Sequence, residues 1–85
     1  MSNHGSVKGI ILDSTGSPVT DAVVMIKSGS HEFNDIASLS DENGEFYVSN
    51  IVIPGTYVLE VNRGDSSITR EVDIQSAERL LRISW

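Results

Sequence analysis

The sequence predicts an all-β domain, a seven-stranded antiparallel sandwich, and three features carry that expectation. β-Branched apolar runs are too short for stable helices, turn-forming clusters interrupt them roughly every eight to twelve residues, and one run alternates apolar with polar side chains at period two. At 85 residues a second hydrophobic core would be sub-critical, so one domain is expected over 6–85, preceded by a tail at 1–5.

The first strand is read at 6–13, a run of Ser-Val-Lys-Gly-Ile-Ile-Leu-Asp that stops at the turn formers Ser14-Thr15-Gly16-Ser17-Pro18. A second at 22–28 carries Val23, Val24, Met25 and Ile26 and breaks at Ser28-Gly29-Ser30. A short third strand near 36–40 leads into Asp41-Glu42-Asn43-Gly44, where Asn-Gly suits the positive φ angles of a tight hairpin, with a fourth strand at 45–49 behind it. After the connector Ile53-Pro54-Gly55, Tyr57, Leu59 and Val61 alternate with Val58, Glu60 and Asn62 in a half-buried fifth strand. Arg63-Gly64-Asp65 turns the chain into a sixth at 67–74, and the apolar segment 79–85 forms the seventh. Residues 76–82 also read as one helical turn behind a capping Ser76; the strand is preferred because Leu81, Ile83 and Trp85 alternate with Leu80, Arg82 and Ser84.

Alternation assigns faces as well as strands. With Val7, Gly9, Ile11, Ala22, Val24 and Ile26 pointing into the core, Ile10, Leu12, Val23 and Met25 point outward and are expected to share the outer face of one sheet. Either the C-terminal segment with Trp85 covers them, or they form an apolar patch that docks a neighbouring domain, a protein partner or a second copy of the chain.

Charge narrows the function classes. The net charge of −6 sits wholly between residues 32 and 62, on Glu32, Asp35, Asp41, Glu42, Glu45 and Glu60, because the flanking segments each sum to zero. Such a chain lacks the basic stripe that displaces counterions from nucleic acid or anchors to an anionic membrane. No apolar run approaches the ~18 residues of a membrane helix, and Met1 to Gly5 lack the charged and apolar regions of a signal peptide. Cysteine is absent, which excludes disulfides and thiolate metal sites.

The run from Val7 to Val24, with Asp13-Ser14-Thr15-Gly16-Ser17-Pro18 and a strand starting at Ala22, resembles the opening of carboxypeptidase regulatory-like domains. Asp41-Glu42-Asn43-Gly44-Glu45-Phe46 is similar to that family's Asp-x-x-Gly-x-Phe hairpin, and Pro54-Gly55-Thr56-Tyr57 to its Pro-Gly-x-Tyr strand. The segment Asn50-Ile51-Val52-Ile53 is about one residue longer than the family pattern. The resemblance implies a transthyretin-like Greek-key sandwich and a non-catalytic accessory role in proteins that are often secreted or extracellular. Physical roles fit the matched positions: Gly16 and Gly44 for left-handed turn positions, Pro18 to fix φ, Gly9 and Gly55 as structural glycines, and Phe46 and Tyr57 as buried rings. The Tyr57 hydroxyl is expected to find a backbone partner.

Reactive chemistry is not assembled by the sequence. His4 and His31 fall in the expected tail and a loop, and the serines are scattered without partners. A hydrolase on the transthyretin fold is similar in architecture, but its Tyr-Arg-Gly-Ser ending is replaced here by Leu81-Arg82-Ile83-Ser84-Trp85. Asp41, Asn43 and Glu45 offer oxygen ligands at alternate positions, with Glu42 and Asp35 near, which makes calcium or carbohydrate binding at the acidic turn the alternative to protein docking; no other cofactor is expected. Arg63-Gly64-Asp65 matches an adhesion tripeptide, though its glycine is also what a strand turn selects.

Overall fold

A computed structural model describes residues 4–31 and 37–85, and among them every regular element is a strand. The strands are β1 (His4–Leu12), β2 (Val23–Gly29), β3 (Ser38–Leu39), β4 (Glu45–Val52), β5 (Gly55–Arg63), β6 (Ser66–Ile74) and β7 (Leu81–Ser84). They form two sheets, one ordered β4-β1-β7 and the other β3-β2-β5-β6. Strand formation follows from the residues: the β-branched runs place one side chain in two against the opposing sheet, and the burial of Tyr57, Leu59 and Val61 along β5 has the expected period of two.

Pairing corrects the expected layout in several places. The sheets are not wholly antiparallel: β7 runs parallel to β1, with Gly9 opposite Leu81 and Leu12 opposite Ser84. The turns at 13–17 and 41–45 do not join paired strands: an isolated antiparallel bridge between Leu12 and Pro18 closes the first, but both carry the chain from one sheet to the other, since β1 and β4 lie in the first sheet and β2 and β3 in the second. Of Asn43 and Gly44, only Gly44 has positive φ, at 75°. Arg63 to Ser66 does form a hairpin between β5 and β6. Pairing begins earlier than expected, with His4 and Gly5 already opposite Val52 and Ile51; residues 1–3 of the expected tail lie outside the described residues.

The extra residue near position 50 has a structural home. Gly5 pairs with Ile51 and Val7 with Val48, so Ser6 alone faces Ser49 and Asn50, a β-bulge in which Asn50 adopts φ 56°. Asn tolerates that left-handed conformation better than other side-chain-bearing residues, and the bulge lets β4 run on to Val52. The segment 76–82 resolves into a turn followed by strand: Ser76 Oγ accepts from the Glu78 N–H at 3.2 Å, and β7 starts at Leu81.

The core is one cluster between the sheets, with Phe46, Tyr57, Ile11, Ile51 and Leu59 its largest members. Phe46 lies opposite Gly9, and a Cβ on Gly9 would overlap its ring. Tyr57 lies over Gly29 in the same way and donates its hydroxyl proton to the Val52 carbonyl at 2.8 Å. Each ring thus fills the space left by a missing side chain on the neighbouring strand.

Candidate interaction surfaces

The two Asp-x-x-Gly turns occupy one pole and are built alike. Asp13 Oδ1 accepts from the backbone N–H of Thr15 (2.9 Å) and Ser17 (3.0 Å) and from the Thr15 hydroxyl (2.6 Å). Asp41 Oδ1 accepts from the N–H of Asn43 and Glu45, both at 2.9 Å. These bonds lower the Asp13 pKa below the ordinary carboxylate value, the Thr15 hydroxyl contributing most and the Ser17 and Thr15 amides after it. Gly44 is required where the turns meet: a Cβ there would stand 2.6 Å from the Ile11 carbonyl oxygen and 3.1 Å from Pro18 Cβ. Gly16, at φ 83°, faces open space and serves its turn alone.

Two of the three expected metal ligands have partners within the chain. Asp41 Oδ1 is committed to its own turn, and Glu45 Oε2 pairs with Lys8 Nζ across the strands at 2.9 Å. Hydrogen bonding to Glu45 is also the main cause of a raised Lys8 pKa. Among the described residues no group of three or more His, Cys, Asp or Glu side chains is placed to hold a metal; Asp35, named beside this turn, lies outside the described residues. His31 is exposed beyond the end of β2.

Ser40 escaped the sequence reading. It is 2% exposed, donates to the Val19 carbonyl at 2.8 Å and accepts from the Ala22 N–H at 2.9 Å, tying the crossover before β2 to the end of β3. Gly29, read from the sequence only as a strand break, also makes room for the Tyr57 ring. Its one sequence signal is a glycine at a strand end with an aromatic residue available to cover it.

The four outward apolar residues divide between two faces. Ile10 and Leu12 lie on β1 and Val23 and Met25 on β2, so they occupy the outer faces of opposite sheets and cannot form one patch. All four are half-buried, as alternation requires. Trp85 packs against the core, and its backbone N–H donates to the Leu12 carbonyl at 2.8 Å; β7 lies beside β1 in the same sheet and not over it. The β1 face is interrupted by charge, because Ile10 stands between Glu45 and Arg82. The β2 face is more apolar. Leu39, 60% exposed, sits opposite Val23, and Met25 follows two residues along, with Asn62 and Glu60 beside them on β5.

Two sheets closed over one core, with polar turns satisfied from within, define a small β-sandwich module. The model of the carboxypeptidase regulatory-like domain matches residues 6–82, and the chain belongs to that family. The family is one of small accessory domains, non-catalytic in general. No curated protein matches the chain.

Proposed function

We propose that the chain is a non-catalytic, cofactor-free accessory module that docks a protein partner on the outer face of the β3-β2-β5-β6 sheet, and that its strands follow the Greek-key, transthyretin-like arrangement. The observation that carries the docking reading is the side-by-side placement of Leu39 and Val23, with Met25 next to them, on a face whose neighbours Asn62 and Glu60 supply a polar rim. An apolar centre with a polar rim is the usual anatomy of a protein interface. The terminal strands lying side by side in one sheet support the topology.

A photo-cross-linking side chain placed at Leu39, and separately at Tyr47 on the opposite sheet, tests the reading. A defined protein adduct is expected from position 39 alone and disappears when Val23→Asp and Met25→Asp are introduced together. Equal adducts from both positions, or none from position 39, would overturn it, and an adduct with a second copy of the chain would replace the partner by self-association.

A further inference from the structure

An opening lies where β6 and β7 are the outermost strands of their sheets. Among the described residues β6 pairs only with β5 and β7 only with β1, so two unpaired strand edges face each other along one side of the sandwich. Toward the pole of the Asp turns, Arg70 closes this gap. It stands opposite the buried Leu59 on the inward side of β6, and its guanidinium donates to the carbonyls of Thr69 (2.8 Å) and Ser84 (3.1 Å). Toward the other pole the gap opens into a cleft of about 370 Å³, lined by Val72, Leu80 and Leu81 together with Arg79, Arg82 and Asp73.

We propose that this cleft takes an extended acidic segment of a partner protein, added as a further strand along β7 with its carboxylates on Arg79 and Arg82. An unpaired edge offers backbone N–H and C=O groups that an extended peptide satisfies without a preformed fold of its own. The pairing edge is β7 rather than β6, because an inward-projecting charge such as Arg70 disfavours strand addition where it stands. The two guanidiniums supply the sign: each is a forked donor suited to carboxylates, and neither has a carboxylate partner among the described residues, where the ion pair is Lys8 with Glu45. Asp73 faces the same cleft but accepts hydrogen bonds from Gln75 Nε2 at 2.8 Å and Thr56 Oγ1 at 3.4 Å. The lining is more polar than apolar, and Val72, Leu81 and the 42%-exposed Leu80 are apolar contacts set among the charged ones, so the matching segment alternates acidic with apolar residues. Long polyanions are disfavoured by the net charge of −6 on the whole chain, which leaves a short acidic peptide as the fitting class.

The inference rests on reading the chain as a binding module, yet it uses none of Leu39, Val23 and Met25, so the two surfaces can fail separately. The probe is a fluorescein-labelled hexapeptide of alternating valine and glutamate, capped at both ends, titrated with the intact chain and followed by fluorescence anisotropy. Saturable binding is expected, with backbone amide shifts over residues 79–83. It weakens about tenfold or more with Arg79→Glu plus Arg82→Glu, and similarly when glutamine replaces glutamate in the peptide. N-methylation of alternate peptide amides abolishes it, while Val23→Asp with Met25→Asp leaves it unchanged. Should the charge-reversed chain lose its circular dichroism, Arg79→Gln with Arg82→Gln is read instead and shows a smaller loss in the same direction. Absence of saturable binding, equal binding by the arginine variants or the glutamine peptide, or indifference to N-methylation would overturn the proposal.

Discussion

Ser40 carries two hydrogen bonds at a place closed to water, so its removal strands a donor and an acceptor together. Ser40→Ala is expected to cost about 1–3 kcal/mol, seen as a fall in the thermal midpoint of roughly 4–8 °C per kcal/mol for a domain of this size. Tyr57→Phe removes one bond and keeps the ring, so its loss is nearer about 1 kcal/mol; an equal or larger loss than that of Ser40→Ala would show that the Val52 contact matters more than the crossover. Asp13 gives a pH signature. Its folded pKa is depressed, so its charge stabilises the fold above the unfolded value and that contribution is lost as pH falls through the folded one. The difference in thermal midpoint between the native chain and Asp13→Asn is therefore expected to shrink as pH drops below about 4, and a gap that widens there would contradict the assignment. Phe46 and Tyr57 were legible in the sequence because ring size and alternation both point inward. Ser40 was not, because a serine's burial is decided by what crosses above it and leaves no local pattern.

At the scale of elements, two amides of the turn at 41–45 engage Asp41 Oδ1 and Lys8 engages Glu45, partners with which a cation would compete. Adding calcium is expected to leave the thermal midpoint unchanged, while Asp41→Ala lowers it equally with and without calcium; a calcium-dependent rise abolished by Asp41→Ala would establish the metal reading instead. Strand positions were readable to within a few residues, since apolar period and turn residues are local signals. Strand partners were not. The same Asp-x-x-Gly sequence can close a hairpin or hand the chain to the other sheet, and the choice rests on distant contacts such as Gly44 against Ile11 and Pro18. For that reason the outward residues were identified individually and assembled wrongly: Ile10 and Leu12 face one way, Val23 and Met25 the other. The bulge at Ser49 and Asn50 shows the opposite case, where a count of residues against a known pattern located the irregularity.

Over the whole molecule, an accessory module needs a fold that tolerates changes on its binding faces. Val23→Asp with Met25→Asp changes outward side chains on β2 while the inward Val24 and Ile26 keep the core closed. Circular dichroism is expected to stay native, and a cooperative loss of strand signal would mean that this face is internal after all. The family and the two-sheet core were accessible from three short motifs in order, whereas the cleft between β6 and β7 was not, because it exists only once two edges from different sheets meet. The parallel pairing of β1 with β7 has a mechanical consequence. Because the two strands run the same way, the start of β1 and the end of β7 lie at opposite ends of the pair, so tension applied between those two points slides β1 and β7 past each other along their length. In that geometry the ladder bonds bear the load together and do not open one at a time.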